Sequence, residues 1–355
     1  MKKQFWRHCI MKKFNFENLV RKENVAVDFG NNNIVIAGNR NKIWSQPCVV
    51  TLNGDTNNAH SIGKEAYAMI GKAPEKFKVI RPMRGGVIAD FFSASKMLKA
   101  MIKGAFPHRT LLSNFNYVIT GVPFATTEVE RRALRDTMDQ FRSSKTFLLF
   151  EPIAAAIGLG LDIHEPDGKF LVDIGGGITE AVVISLSGVV TYRSIKTGGD
   201  NLNYDIQQYF RKNYNIDIGM PMAERVKIEA GAAEELKKNP PEPFYVVGKD
   251  TVTGIPKGQM IDHVEIAFIL NTSLLKIEQA IIQTLEECPP ELAGDIYNNG
   301  IHLTGGSSLL RGFADRLARK TKIPVHQDDN ALLSVSNGIS TVLKNPEGYK
   351  TIMFR

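Results

Sequence analysis

Leu171-Val172-Asp173-Ile174-Gly175-Gly176-Gly177-Ile178-Thr179-Glu180 is the segment from which the rest of the chain is best understood. An apolar, β-branched run carries an aspartate into three consecutive glycines, and a second apolar run, Ala181 to Leu186, follows at once. The pattern predicts two strands joined by a turn that exposes backbone N–H groups, with a carboxylate at its mouth. Glycine permits positive φ and close approach of a bulky anion. An aspartate gains nothing by facing a phosphate, so Asp173 is expected to face Mg2+ or its water shell. The turn therefore reads as a seat for the phosphates of a metal-bound nucleotide.

The same pattern occurs earlier, where Val25-Ala26-Val27-Asp28-Phe29-Gly30-Asn31-Asn32-Asn33 leads into the apolar run Ile34 to Ala37. An Asp-x-Gly turn between strands is commonplace taken singly. Two of them far apart in one chain imply two similar domains that clamp a nucleotide between them. A third glycine turn, Ile301-His302-Leu303-Thr304-Gly305-Gly306-Ser307-Ser308-Leu309-Leu310, offers another backbone surface to the ligand. His302 alternates with apolar neighbours there and reads as a core histidine. Between the first and second turns, Glu151-Pro152 opens the small-residue helix Ile153 to Gly158, which puts a carboxylate at a helix mouth, where it reads equally as a group placed to orient water or as an N-terminal charge. Neither the Gly-x-x-x-x-Gly-Lys-Ser/Thr phosphate loop nor a dinucleotide fingerprint is present.

At 355 residues the chain exceeds what one core usually supports, and two domains are expected. Its composition, 43% hydrophobic and 23% charged, is that of an ordinary globular protein. Cys9, Cys48 and Cys288 are far apart, odd in number and without metal-ligand spacing, which points to a reducing, cytoplasmic setting. No apolar run approaches the length of a membrane span. The net charge of +7 is compatible with an anionic membrane or with simple solubility, and no base-stacking surface argues for specific nucleic-acid binding.

Residues 1–22 interleave Lys and Arg with Phe5, Trp6, Ile10, Met11, Phe14, Phe16 and Leu19, a composition suited to an anionic membrane surface or to an extension packed on the domain. The segment from Gly104 to Leu112 is unusually apolar for a loop, with Phe106, Leu111 and Leu112; core packing and a membrane contact are both readings of it. Thr127 is expected to cap a helix with acidic Glu128 and Glu130 in its first turn, Asp200 to cap the helix from Leu202 to Tyr214, and the helix from Ile261 to Leu285 to break near Asn271.

With the turns and Glu151 in place, the chain resembles the MreB family of bacterial actin homologues from about Val25 to about Leu343. The likeness is strongest in Ile80-Arg81-Pro82-Met83-Arg84-Gly85-Gly86-Val87-Ile88-Ala89-Asp90, in Glu151-Pro152-Ile153-Ala154-Ala155-Ala156-Ile157-Gly158, in Asp173-Ile174-Gly175-Gly176-Gly177, in Ala223-Glu224-Arg225-Val226-Lys227-Ile228-Glu229 and in Leu303-Thr304-Gly305-Gly306-Ser307-Ser308-Leu309-Leu310-Arg311-Gly312. The resemblance implies an α/β, actin-like fold: two ribonuclease-H-like domains, each with a small inserted subdomain, around a nucleotide cleft. On this reading residues 1–24 are an extension, 25–161 with 331–355 form domain I (small subdomain about 49–81), and 162–330 form domain II (small subdomain about 198–261).

The same resemblance implies ATP or ADP with Mg2+ in the cleft. Asp28 and Asp173 would sit near the metal; Gly30, Asn31, Asn32 and Asn33, with Gly175, Gly176, Gly177 and Ile178, would line the phosphates. Glu224 and Lys227 would approach ribose and adenine, as would Gly305, Gly306 and Ser307, and Glu151 would polarise the attacking water. It implies self-association into protofilaments, commonly antiparallel pairs, work alongside paralogues or cell-shape proteins, and a peripheral location on the inner face of the cell membrane, with Phe5, Trp6, Phe106, Leu111 and Leu112 as membrane contacts.

Three positions depart from the family pattern. Asn31-Asn32-Asn33 replaces a small-residue run containing threonine, Phe150 replaces a second glutamate before Glu151, and Ile178 replaces the first of two threonines after Gly177. An isoleucine cannot hold a water in line with the γ-phosphate, so hydrolysis is expected to be slow unless Thr179 supplies the missing hydroxyl. The departures, with an asparagine- and lysine-rich composition, are similar to those of divergent paralogues from wall-less helical bacteria, which implies a role in helicity and motility. The competing readings are a nucleotide-stabilised scaffold with negligible turnover, and a small-molecule kinase of the same superfamily, for which no second substrate motif is evident.

Overall fold

The computed structural model describes residues 23–38, 43–107 and 114–355. Among these residues the chain builds two large sheets with one plan. In the first, Val25–Phe29, Asn33–Gly38 and Ile43–Pro47 run antiparallel in sequence order, and Val25–Phe29 also pairs in parallel with Phe115–Val122, which pairs in parallel with Ser143–Phe150. In the second, Lys169–Ile174, Thr179–Ser185 and Gly188–Ile195 run antiparallel, and Lys169–Ile174 pairs in parallel with Ile301–Thr304 and that strand with Val325–Gln327. The two sheets repeat each other strand for strand, except that the first gains Met353–Phe354 on its far edge. Each aspartate hairpin is therefore the same structural position, used twice.

The central parallel strands are buried on both faces and carry nearly continuous apolar runs, Val25, Ala26 and Val27 in the first sheet and Phe170, Leu171 and Val172 in the second. Two helices, Glu151–Gly158 and Ser334–Lys344, lie between the sheets and share one core with both: Ala26, Ile119 and Leu149 from the first, Leu171, Val182 and Ile184 from the second. The helices touch backbone to backbone. A Cβ on Gly158 would stand 1.9 Å from the carbonyl oxygen of Ser334, and one on Gly338 would stand 1.7 Å from that of Ala154. Separate apolar cores fill the outer face of each sheet.

Small sheets accompany each half. Val50–Asn53 pairs with Ala59–Ile62 and Phe77–Ile80 beside the short helix Gly63–Ala68, and Phe244–Asp250 pairs with Ile216–Asp217 and Pro256–Ile261 beside the helices Gly199–Tyr209 and Met220–Ala230. The segment from Ser45 to Leu52 contributes to two strands in two sheets, parted after Pro47.

Thr127 caps its helix with a reciprocal Glu130 bond, as its sequence spacing predicts. Asp200 does not cap the next helix. Gly198 holds that place, its N–H bonded to Asn201, and Asp200 lies in the first turn, where its side chain is available to other partners. The helix His263–Glu286 runs unbroken through Asn271, whose carbonyl accepts from Arg316. The helix Met220–Ala230 ends at Gly231.

Candidate functional site

The two aspartate turns face one another across a cleft of about 580 Å³. Asp28, Gly30, Asn31, Asn32 and Asn33 line it from the first sheet, Asp173 and 175–178 from the second, Glu224 and Lys227 from the Met220–Ala230 helix, and Gly305, Gly306 and Ser307 from the third glycine turn. Glu151 enters from the helix between the sheets. Leu309, Leu310, Leu332 and Ile228 add an apolar wall that the motif reading did not single out. Sequence places these residues far apart; the duplicated sheet brings both strand ends to one place.

The halves meet closely at the second turn, and Gly177 admits no side chain, since a Cβ there would lie 2.8 Å from the backbone nitrogen of Gly85. A Cβ on Gly176 would lie 2.5 Å from Nδ2 of Asn32, and one on Gly177 would lie 2.7 Å from Nδ2 of Asn31. The second turn is itself tied to the third and to the helix that follows: Ser307 donates to the carbonyl of Gly175 at 3.0 Å, and the N–H of Gly199 donates to the same oxygen at 3.0 Å. Lys227 donates to the carbonyl of Gly199 at 3.1 Å, and burial holds its pKa below the usual lysine value against the pull of Glu224 and Asp200.

Three carboxylates, Asp28, Glu151 and Asp173, line this cleft, and a fourth, Glu180, lies buried behind them. The hairpin register sets Asp173 directly opposite Glu180. Burial, and then the neighbouring Asp173, raises Asp28 from 3.8 to about 7; burial raises Asp173 to about 6 and Glu180 from 4.5 to about 7. Glu151 is raised well above its ordinary value by burial, then by Asp28, Glu180 and Asp173. Asp28, Glu151 and Asp173 retain contact with solvent through the cleft mouth, whereas Glu180 is 2% exposed. Glu180, which the sequence reading left unassigned, accepts the backbone N–H groups of Phe124 at 3.0 Å and Ala125 at 3.3 Å, and so joins the second sheet to the loop after Phe115–Val122. The register of a hairpin with Asp173 at its mouth was the signal that would have found it.

The raised carboxylates would be relieved by a divalent cation, and oxygen donors suit Mg2+. Among the described residues no three His, Cys, Asp or Glu side chains converge closely enough to hold a metal alone. A cation at Asp28 and Asp173 would therefore complete its shell with phosphate and water, the usual habit of Mg2+.

Thr179 requires a correction. It is fully buried, lies outside the cleft lining, and donates its hydroxyl to the carbonyl of Thr197 at 2.7 Å, because the strand pleat turns it to the opposite face. Its hydroxyl ties the start of the Thr179–Ser185 strand to the bend after Gly188–Ile195 and, committed there, does not replace the one missing at Ile178. Ile178 does line the cleft, with Cγ2 3.2 Å from the position a Cβ would take on Gly86. Phe150 joins a row of rings, Phe354, Phe150, Phe124 and Tyr192, with successive centroids 4.6 Å apart, that crosses from one sheet to the other. An apolar ring there packs the junction between the halves and offers the water site no polar support.

Of the predicted membrane contacts, Phe5, Trp6, Leu111 and Leu112 lie outside the described residues. Phe106 is half-buried, packs edge-on against Phe115 at 5.0 Å and abuts Gly38, so its ring belongs to the core of the first half rather than to an exposed surface. His302 stacks on His326 at 5.1 Å, and burial, then His326 and Lys169, pushes it down to about 4, which keeps it neutral and structural. Among the described residues no helix is long and apolar enough to cross a membrane.

This duplicated sheet and cleft have close counterparts. The sequence profile of the MreB/Mbl protein family matches residues 22–351. The chain is 38% identical over 322 residues to the cell shape-determining protein MreB of Escherichia coli (strain K12), covering 88% of this chain and 91% of that protein. It is 34% identical over 327 residues to the cell shape-determining protein Mbl of Bacillus subtilis (strain 168), covering 90% and 96%. The crystal structure of MreB5 of Spiroplasma citri bound to ADP superposes with a TM-score of 0.87 at 31% identity, over 93% of this chain and 99% of that one, and the same protein bound to AMPPNP with 0.86. A chain of the MamK double helical filament, 17% identical, superposes with a TM-score of 0.74 over 91% of this chain and so shares the fold. With the strand-for-strand duplication and the matched sequence running through both halves, the fold is actin-like and the chain belongs to the MreB/Mbl family.

Proposed function

We propose that this chain binds ATP with Mg2+ between its halves, hydrolyses it slowly, and assembles into filaments on the inner face of the cell membrane that set cell shape or, in a wall-less cell, helicity and motility. Residues 25–161 with 331–355 form one half and 162–330 the other. The two aspartate turns hold the phosphates, with Asp28 and Asp173 toward the metal, while Glu224, Lys227 and the turn at Gly305, Gly306 and Ser307 receive the nucleoside. Support for the nucleotide comes from the S. citri relative, whose structures carry AMPPNP and ADP. Bound Mg2+ would supply positive charge that neutralises the phosphates and the carboxylates around them. Glu151, at the mouth of its helix, orients and polarises water for in-line attack.

The observation that carries slow turnover is Ile178: a branched hydrocarbon in the phosphate wall, while the adjacent Thr179 hydroxyl is taken up by Thr197. Phosphate release from ATP, measured while sedimentation or electron microscopy independently reports filaments, tests both parts of the reading. The parent is expected to form filaments and release phosphate slowly, and Ile178→Thr to accelerate release about tenfold, the scale of one hydrogen bond to a charged transition state. Rapid release by the parent defeats the slow-turnover reading; absence of filaments in every nucleotide state defeats assembly. The second reading, a nucleotide-stabilised scaffold, is favoured by the same Ile178 and predicts filaments whose lifetime is indifferent to phosphate release. An anionic-vesicle sedimentation assay addresses the membrane part, with Phe5→Ala/Trp6→Ala expected to weaken binding.

A further inference from the structure

The side chains of Asn31 and Asn32, in the first turn, both reach across the cleft. Asn31 donates Nδ2 to Asp200 at 2.6 Å and accepts the N–H of Gly86 at 3.3 Å. Asn32 accepts from Nη1 of Arg81 at 2.9 Å. Arg81 in turn lies 3.7 Å from the carboxylate of Asp200, whose own N–H donates to the carbonyl of Gly176 at 2.7 Å. These three side-chain links, joined through the Asn31–Asn32 backbone, form a ring that takes in the first turn, the Ile80-to-Gly86 segment and the start of the Gly199–Tyr209 helix.

The polarity of this ring fixes what each amide offers. A carboxamide can be turned end for end, and only its partners decide which end faces where. A guanidinium has donors alone, so Asn32 must show it Oδ1, which turns Nδ2 the other way. That nitrogen is the atom of Asn32 nearest Gly176, 2.5 Å from the position a Cβ would occupy there. A backbone N–H likewise holds Oδ1 of Asn31 and leaves its Nδ2 for Asp200.

We infer that Arg81, steadied by Asp200, is a positioning residue of the phosphate site: it orients Asn32 so that Nδ2 is presented to the nucleotide's phosphates beside the Gly176 turn. The inference rests on the nucleotide reading above and assigns the Asn32 amide to this chain as a phosphate donor. Arg81 acts through Asn32, so removing either should cost the same interaction once.

The test is a double-mutant cycle on the full chain, read as the affinity and dissociation rate of a fluorescent ATP analogue with Mg2+, with thermal melting to establish folding. Asn32→Leu and Arg81→Met are each expected to weaken binding about tenfold, the worth of one hydrogen bond to a charged group. The double variant is expected to bind no more than about twofold worse than Asn32→Leu, since neighbours acting as a unit are non-additive. Arg81→Lys, which keeps a donor, is expected to recover most of the loss. Effects of Arg81→Met and Asn32→Leu that multiply would mean that Arg81 acts by its own charge and would overturn the inference, as would parent-like binding by Arg81→Met. A parent chain that binds no analogue overturns the nucleotide reading itself, and this inference with it.

Discussion

Gly338→Ala is the sharpest single perturbation of the scaffold that carries Glu151. The added Cβ would fall 1.7 Å from the carbonyl oxygen of Ala154, 2.5 Å from its carbon and 3.1 Å from its Cα, all backbone atoms of the facing helix. No rotamer change relieves a clash with backbone. The helices must part by roughly 1.5 Å to restore ordinary contact, and overpacking of this kind costs about 1–3 kcal/mol. At roughly 2–4 °C per kcal/mol for chains of a few hundred residues, Tm should fall by about 2–12 °C.

The same movement is transmitted to chemistry. Glu151 starts the helix that must move, one turn before Ala154, and its Cγ already lies 3.0 Å from where a Cβ on Gly121 would stand. If Glu151 orients water as proposed, a displacement near 1 Å costs on the order of 100-fold in rate. Differential scanning calorimetry with and without Mg2+ and ATP, and phosphate release, are the assays. Gly294→Ala is the matched control: it is within the helix Pro290–Asn299, with nothing within 4 Å of its Cβ position. It should hold Tm or raise it slightly, since alanine is favoured over glycine in a helix by up to about 1 kcal/mol. If Gly338→Ala melts within a degree of the parent and releases phosphate at the parent rate, the close helix contact does not position Glu151 as argued.

The carboxylates predict a pH dependence of known sign. Asp28 and Asp173, raised from 3.8 to about 7 and about 6, hold protons in the folded chain that the unfolded chain has already lost, so stability without nucleotide falls as pH rises from about 4 to 7. Asp28→Asn should flatten the Tm–pH slope across that window, raise Tm at neutral pH and abolish stabilisation by Mg2+ with nucleotide; an unchanged slope contradicts the burial argument. Glu278 has a side chain 1% exposed that pairs with Arg316 and Lys320. Arg316→Ala leaves that charge without its closest partner and should cost about 3 kcal/mol in urea unfolding, while Glu278→Leu/Arg316→Met should recover most of it; equal loss in both would show the pair to be worth more than its desolvation. The accelerated turnover of Ile178→Thr and the shared loss in Arg81→Met and Asn32→Leu complete the set.

Short-range features were legible because their causes are short-range. The two aspartate hairpins, the glycine turns, the Thr127–Glu130 cap and the helix opened by Glu151 each depend on residues within about ten positions, and the repeated hairpin alone implied duplication. Resemblance in five stretches then supplied the family and most of the cleft lining. Pairings across the cleft were not legible. Asn31 meets Asp200 169 residues away, and Glu180 meets Phe124 56 residues away, so no local pattern records them. Thr179 was misread for the same reason: its spacing from the glycines fits a phosphate ligand, but strand pleating faces it to Thr197. Amino-acid order set the strands, turns and charges of this protein. Closure of two sheets around a helix pair chose which of those charges face one another, because hydrogen bonds and buried carboxylates are settled by three-dimensional proximity and not by position along the chain.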